Sequence, residues 1–266
     1  MPHVFTNGIR LSYERAGRGE RVLLIMGSFA AARVWSLHQA PALAAAGYQA
    51  VMFDNRGVAP SDVPPGRYSM ADMVADTAGV IGALDLAPCK VVGTSLGALI
   101  AQELMIGWPG LVSCAVLMGT RARSDVVRVA QVAAHRALAE SGVVVPAAYA
   151  GVVSVCQMLS PATLDDEAAA GLWLETFGLS GAGQAAAGQA WVDTTADRRA
   201  ALAGVAVPCR VICFADDLIT PPHLAAEAAA AIPDCDLVRI ERAGHLGYLE
   251  RPGEVNTAII EFLDKH

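Results

Sequence analysis

The sequence carries little charge and few aromatic side chains. Of its 266 residues, 17% are charged, 6% are aromatic and 54% are hydrophobic, and the net charge is −7. So hydrophobic a chain with so few charges is not expected to be disordered. The net charge is negative and the sequence has no cluster of lysine and arginine, so we expect no nucleic-acid partner. The length suits one large α/β domain, or such a domain with an insertion.

The cysteines form no C-x-x-C pair, and no spacing of histidine, cysteine and carboxylate suggests a metal site. Several cysteines lie in apolar runs that are typical of strands or buried helices. We therefore interpret them as small core residues of a protein in a reducing, cytoplasmic compartment, and not as a disulfide framework. The six are Cys89, Cys114, Cys156, Cys209, Cys213 and Cys235.

A secretory signal is not expected, because residues 1–17 lack a basic region followed by an apolar one. Residues 141–164 carry no charge and are long enough to span a bilayer. Prolines and polar residues interrupt this stretch, and it has no basic flank. We therefore expect a buried or pocket-facing helix there and no stable membrane insertion. The alternative is an exposed apolar surface that is prone to bind other molecules.

Short apolar runs alternate with helix-like stretches over most of the chain. RVLLIMG, QAVMFD, CKVVG and SCAVLMG are typical of buried strands. Their alternation with helices predicts a mostly parallel sheet that is covered by helices on both faces. The alternation stops near Arg121 and resumes with CRVICFADD, and the stretch between is helical in pattern. We therefore predict an α/β core at 1–121 plus 201–266 and a helical insertion at 122–200.

Three kinds of polar side chain follow three different apolar runs. Ser95 follows CKVVGT, Asp216 and Asp217 follow CRVICFA, and His245 follows DLVRIERAG. Because the carboxyl ends of parallel strands lie along one edge of a sheet, these side chains can meet there. A serine nucleophile needs an imidazole to take its proton, and the imidazole needs a carboxylate to orient it. Ordinary turn residues at these positions are the alternative.

The sequence resembles the α/β-hydrolase family, since GTSLG stands on a strand-to-helix turn and the order is Ser, Asp, His. The segments MGS, FDNRGVAPSD, DDLITPP and AGHLGYLERP resemble other loops of that family, so the resemblance covers nearly the whole chain. It implies an α/β-hydrolase fold with a helical cap and a cofactor-free serine hydrolase. Ser95 would be the nucleophile, His245 the base and Asp217 the acid. Asp217 fits because Pro221 stands four residues later, and Asp216 is the runner-up.

The resemblance also implies an oxyanion hole made of the backbone N–H groups of Ser28 and Leu96. Met26 stands where the family usually has histidine, so a substrate cannot be carried over from better-known branches. An apolar pocket is expected under the cap, with simple packing of the cap as the alternative for each residue. The expected lining residues are Met26, Phe29, Met158, Trp173, Phe177 and Trp191.

Such a pocket favours a small-to-medium hydrophobic ester, lactone or thioester as the substrate. One alternative is a non-hydrolytic reaction at the same site, such as acyl transfer, cyclisation, perhydrolysis or C–C cleavage. Another is a ligand receptor of the same fold with slow turnover. The pattern is also similar to hydrolases associated with antibiotic and polyketide pathways, and the oligomeric state stays open.

Overall fold

The fold is built on one central sheet. The structure is a computed structural model and describes residues 1–179 and 187–266. The strands among these residues are His3–Thr6 (β1), Ile9–Gly17 (β2), Glu20–Ile25 (β3), Tyr48–Phe53 (β4), Cys89–Thr94 (β5), Val112–Met118 (β6), Cys209–Phe214 (β7) and Cys235–Ile240 (β8).

The strands form a sheet in the order β1-β2-β4-β3-β5-β6-β7-β8. β2 pairs antiparallel with β1 and with β4, whereas every pair from β4 to β8 is parallel. Ile25 of β3 is in register with Gly93 of β5, and Thr94 is in register with Met118 of β6. The carboxyl ends of these strands therefore lie side by side, as the alternation in the sequence predicts.

Helices connect the parallel strands and cover both faces of the sheet. Successive strand residues point to opposite faces, so that Leu23 and Ile25 enter one hydrophobic cluster while Leu24 and Met26 enter the other. Burial on both faces explains the uninterrupted apolar runs. The described α-helices are Gln39–Ala45 (α1), Met70–Ala83 (α2), Leu96–Gly107 (α3), Val126–Ser141 (α4), Ala147–Met158 (α5), Pro161–Leu164 (α6), Glu167–Leu179 (α7), Arg199–Leu202 (α8), Pro222–Ala231 (α9), Gly247–Glu250 (α10) and Pro252–Leu263 (α11).

The chain between β6 and β7, residues 119–208, is here called the helical segment. Its described part contains α4 to α8 and a short 3-10 helix at Ala187–Trp191, and no strand. It contacts the core directly, for example where Gly188 O accepts the N–H of Tyr68 at 3.0 Å. The boundaries of the predicted cap, 122 and 200, stay a prediction.

The charge-free stretch 141–164 is less buried than its sequence suggests. It spans the last residue of α4, then α5 and α6. In α5 only Gly151 and Val155 are buried, while Tyr149 and Val152 are exposed. The expectation of a buried helix is therefore corrected to a helix with one buried side, whose other apolar residues reach the surface. None of the helices in the described residues combines the length and the apolar character that a membrane crossing needs.

Candidate active site

Ser95 lies on the tight turn between β5 and α3. Its backbone has φ +53° and ψ −118°, a region that non-glycine residues rarely adopt. The turn also needs glycine on both sides of Ser95. A Cβ on Gly97 would collide with the carbonyl oxygen of Ile25, and a Cβ on Gly93 would lie 2.5 Å from the carbonyl oxygen of Gly97. This geometry lifts the serine hydroxyl away from the strand, and Ser95 remains partly exposed.

His245 lies between Ser95 and Asp217. Its Nε2 is 2.9 Å from Ser95 Oγ, and its Nδ1 is 2.8 Å from Asp217 Oδ2. With Nδ1–H donating to the carboxylate, Nε2 is left to accept the hydroxyl proton of Ser95. His245 and Asp217 are only 4% and 1% exposed, whereas Ser95 is partly exposed. The carboxylate is therefore shielded from solvent, and the serine hydroxyl lies at the end that solvent can reach.

Asp217 is held as an anion by the turn that follows β7. Its Oδ1 accepts the N–H groups of Ile219 and Thr220 at 2.7 and 2.8 Å, and its Oδ2 accepts the Thr220 hydroxyl at 2.6 Å. Burial alone would raise the pKa of Asp217. The charge and hydrogen bond of His245 and the hydrogen bonds from Thr220 outweigh burial, so that the pKa lies below its ordinary value. Asp216 is not hydrogen-bonded to His245; its N–H donates to Ala243 O.

The loop that carries His245 is fixed on both sides of the imidazole. The N–H of Gly244 donates to Glu250 Oε2 at 2.6 Å, and the N–H of Leu246 donates to Met158 O at 3.1 Å. A Cβ on Gly244 would lie 2.5 Å from that same carbonyl oxygen, so glycine permits the close approach of α5. The loop therefore rests against the helical segment.

Glu250 joins the histidine loop to the start of α6. Its Oε1 accepts the N–H of Ser160 at 2.9 Å, the Ser160 hydroxyl at 2.8 Å and the Thr163 hydroxyl at 2.6 Å. This glutamate lies within AGHLGYLERP, and its role was not predicted from the sequence. The sequence feature that distinguished Glu250 was its position five residues after His245. No sequence feature distinguished Ser160 or Thr163.

A turn at residues 26–29 lies beside Ser95. A Cβ on Gly27 would lie 3.2 Å from the Cβ of Ser95. The carboxamide of Asn55 donates to Met26 O at 2.9 Å, which holds the start of the turn. Among the described residues, no protein acceptor is bonded to the N–H of Ser28 or of Leu96, the two predicted oxyanion donors.

The helical segment reaches this turn through Gln189, a residue that the sequence analysis did not identify. Its Oε1 accepts the N–H of Phe29 at 2.7 Å, and its Nε2 donates to Arg56 O at 2.7 Å. Gln189 is 3% exposed, so both hydrogen bonds are shielded from water. No periodicity or motif in the sequence distinguishes it from neighbouring residues.

The predicted pocket residues have different surroundings in the structure, and their shared pocket stays a prediction. Met26 is fully buried in the core cluster with Trp35 and Tyr248, so its side chain offers no accessible surface. Phe29 is half-exposed and adjoins Ser28, and Met158 meets the histidine loop through its carbonyl oxygen.

The three remaining pocket candidates lie in the helical segment. Trp173 packs against Phe177 at 5.9 Å between ring centroids. Trp173 also lines a surface cleft of about 420 Å³ together with Arg242 and Glu250, and Ser95 is not part of its lining. The ring of Trp191 lies 3.6 Å from the Arg67 guanidinium carbon. The described residues contain no group of three or more His, Cys, Asp or Glu side chains that could hold a metal ion.

Comparisons with known proteins agree with this architecture. The model of the Alpha/beta hydrolase family matches residues 22–258. A Mycobacterium tuberculosis (strain H37Rv) protein named "Putative non-heme bromoperoxidase BpoC" is 43% identical over 256 residues, which are 96% of this chain and 97% of the relative. A crystal structure of "Putative non-heme bromoperoxidase BpoC" from M. tuberculosis H37Rv superposes with a TM-score of 0.91 at 42% identity, and the match covers 96% of each chain.

A more distant structure has a hydrolase name. A thermophilic esterase from Thermogutta terrifontis superposes with a TM-score of 0.85 at 25% identity, covering 99% of this chain and 98% of the esterase. The names of these relatives thus include both a peroxidase and a hydrolase on one architecture. The family model spans most of the sheet and the whole helical segment, and the mycobacterial relative aligns over nearly the full length. The chain therefore belongs to the alpha/beta hydrolase family.

Proposed function

We propose that the protein is a serine hydrolase that cleaves a small-to-medium hydrophobic ester, lactone or thioester through an acyl-enzyme on Ser95. The strongest support is the run of two short contacts, 2.9 Å from Ser95 Oγ to His245 Nε2 and 2.8 Å from His245 Nδ1 to Asp217 Oδ2. This is the arrangement that nucleophilic catalysis by serine requires.

In the first half-reaction Ser95 Oγ attacks the acyl carbonyl while His245 Nε2 takes the hydroxyl proton. The C=O pair moves onto oxygen and gives a tetrahedral oxyanion. When the oxyanion collapses, the bond to the leaving group breaks and His245 returns the proton to it. Asp217 stays ionised and stabilises the imidazolium, in keeping with its lowered pKa. Water then repeats the sequence on the acyl-enzyme and releases the acid and free Ser95.

The developing negative charge would be stabilised by the backbone N–H groups of Ser28 and Leu96. The Leu96 N–H stands at the start of α3, where the helix dipole also favours an anion. A donor of this kind typically contributes about 2.7–4 kcal/mol to transition-state stabilisation. Neither group is bonded to another acceptor in the described residues, so both are available to substrate.

Labelling with a fluorophosphonate tests the nucleophile. The wild type should take up one label and hydrolyse p-nitrophenyl esters, with longer acyl chains faster than acetate if the pocket is apolar. Ser95→Ala should take up none and lose hydrolysis. The matched control Ser36→Ala, at an exposed serine whose hydroxyl contacts Met52, should behave as the wild type. Labelling that persists in Ser95→Ala contradicts the proposal, and a labelled wild type without turnover of any ester or thioester favours the receptor alternative.

Perhydrolysis is a second candidate, favoured by the bromoperoxidase name of the 43% identical relative. Hydrogen peroxide would attack the acyl-enzyme in place of water, so that the serine ester bond breaks and a peroxy acid leaves with Ser95 regenerated. The peroxy acid would then oxidise bromide in solution. Bromination of monochlorodimedone that requires acetate, peroxide and Ser95 together would support this reaction, and bromination without a carboxylic acid would oppose it.

A further inference from the structure

We propose that Gln189 is a positioning residue that holds the Ser28 N–H in place for the transition state. This inference rests on the proposed function. It links the helical segment to the rate of the acyl-transfer step through one buried carboxamide.

The turn that Gln189 contacts carries a strained residue next to the proposed oxyanion donor. Phe29, which directly follows Ser28, has φ +64°. An L-residue with a large side chain avoids this left-handed region, because its Cβ would lie too close to the following carbonyl oxygen. A conformation of this kind persists only where surrounding contacts enforce it. The turn therefore needs a stabilising contact from outside the turn, and Ser28 moves if that contact is lost.

The carboxamide of Gln189 provides that stabilising contact. The N–H of Phe29 can meet only an oxygen and the carbonyl of Arg56 can meet only a donor, so the two contacts fix which end of the amide faces each partner. Both bonds are 2.7 Å long, and the residue is 3% exposed. A buried carboxamide that satisfies two backbone groups holds them at a fixed separation.

The partners of Gln189 are themselves firmly held. Arg56 pairs with the buried Asp76, and its neighbour Asn55 bonds Met26 O at the other end of the turn. Gly188, next to Gln189, accepts the Tyr68 N–H. The Asn55–Arg56 loop thus braces the turn at its start, and Gln189 braces it at Phe29 from the helical segment.

The effect should fall on the transition state and spare the ground state. The Ser28 N–H meets full negative charge only once the carbonyl has become an oxyanion, so a displaced donor lowers kcat more than it raises KM. A misplacement of about 1 Å can cost on the order of 100-fold in rate. We therefore expect about a 10- to 100-fold loss of kcat without Gln189, and a change in KM of less than about threefold.

The experiment compares Gln189→Met with the wild type on a p-nitrophenyl ester. Methionine keeps the length and volume of glutamine and removes both hydrogen bonds. A trifluoromethyl ketone, which forms a tetrahedral oxyanion on Ser95, should bind about 10- to 100-fold more weakly to Q189M. The matching methyl ketone should change by less than about threefold, because it mimics the ground state. A purely structural role would not separate the two inhibitors.

Two further variants make the result decisive. Gln102→Met removes another fully buried glutamine, which donates to Thr120 Oγ1 and Arg121 O and is not hydrogen-bonded to the turn. It should lose stability while its kcat and its ratio of ketone affinities stay near the wild type. Gln189→Glu keeps an acceptor for the Phe29 N–H and loses the donor to Arg56 O, so its kcat should lie between those of the wild type and Q189M.

A folded Q189M with wild-type kcat and an unchanged ratio of ketone affinities would overturn the proposal. If Q189M does not fold, a Q189E variant with unchanged kcat would overturn it as well. These outcomes differ from failure of the proposed function, which would appear as a wild type that neither hydrolyses esters nor takes up the fluorophosphonate at Ser95.

Discussion

The edge of the sheet and the helical segment contribute to the same site by different means. The edge supplies the reactive groups, because Ser95, Asp217 and His245 each follow a parallel strand. The helical segment meets that edge through a carbonyl oxygen at Met158 and a neutral carboxamide at Gln189. Under the proposed function, the three side chains at the edge carry out the reaction. The contacts from the helical segment then determine how accurately those side chains are placed.

The largest effect should come from the edge, at the acid. Asp217→Asn keeps the shape of the side chain but no longer favours the tautomer in which His245 Nε2 accepts a proton, so kcat should fall about 10⁴-fold. Asp216→Asn is the matched control, because its carboxylate is half-buried and does not contact His245. Its kcat should stay within about threefold of the wild type in an ester hydrolysis assay. Equal losses in the two variants would return the assignment of the acid to an open choice.

A smaller effect should follow at Glu250, where the two regions meet. Glu250→Gln replaces one carboxylate oxygen with an NH₂ group, which would face either the N–H of Gly244 or the N–H of Ser160. A buried donor facing a donor costs about 1–3 kcal/mol. We expect a lower Tm and a kcat that is roughly tenfold lower, because the loop on which His245 sits is released.

Ser160→Ala separates the two sides of this junction. It removes the hydrogen bond of the Ser160 hydroxyl to Glu250 and leaves those of the Ser160 N–H, the Thr163 hydroxyl and the Gly244 N–H. Its kcat should stay within about threefold of the wild type. A loss as large as that of Glu250→Gln would mean that α6, and not the bond to Gly244, sets the position of the imidazole.

The residues at the edge of the sheet were predictable because each follows directly on a strand that can be recognised in the sequence. A buried strand reads as an apolar run, and the residue after it lies at the carboxyl edge of the sheet, so the positions of Ser95, Asp217 and His245 followed from strand order. The choice of Asp217 over Asp216 rested only on the distance to Pro221. The structure adds the physical reason, which is that the turn to Thr220 aims one carboxylate at the imidazole.

The contribution of the helical segment was not predictable in the same way. Phe29 and Gln189 are 160 positions apart, and a contact between a backbone N–H and a carboxamide leaves no periodic pattern. Met26 was expected to line the pocket. The twofold period of a strand predicts its actual place, because Met26 continues the face of Leu24 and enters the same core cluster. The aromatic residues of the segment could be counted from the sequence, but the directions of their rings could not.

The pH dependence of stability tests the edge without an assay of activity. Because the pKa of Asp217 is lower in the folded protein than in the unfolded chain, the unfolded chain binds the proton more tightly. The resulting stability is fully present above the unfolded value of about 3.9 and is lost as the pH falls through the folded value. Denaturant unfolding should show that the difference in free energy between wild type and Asp217→Asn shrinks below about pH 4. A constant difference from pH 7 to pH 3 would contradict this account of Asp217.

The smallest effect should come from Trp191, in the part of the helical segment predicted to line a pocket. Its ring packs beneath the Arg67 guanidinium, and such a contact contributes about 0.5–1 kcal/mol at an exposed site. Trp191→Ala should therefore lower the Tm slightly and leave kcat/KM for short and long p-nitrophenyl esters within about threefold of the wild type. Phe29→Ala is the informative partner, because Phe29 adjoins Ser28 and is half-exposed. If Trp191→Ala instead removed the preference for longer acyl chains, Trp191 would belong to the substrate pocket, and the helical segment would select the substrate as well as position the reacting groups.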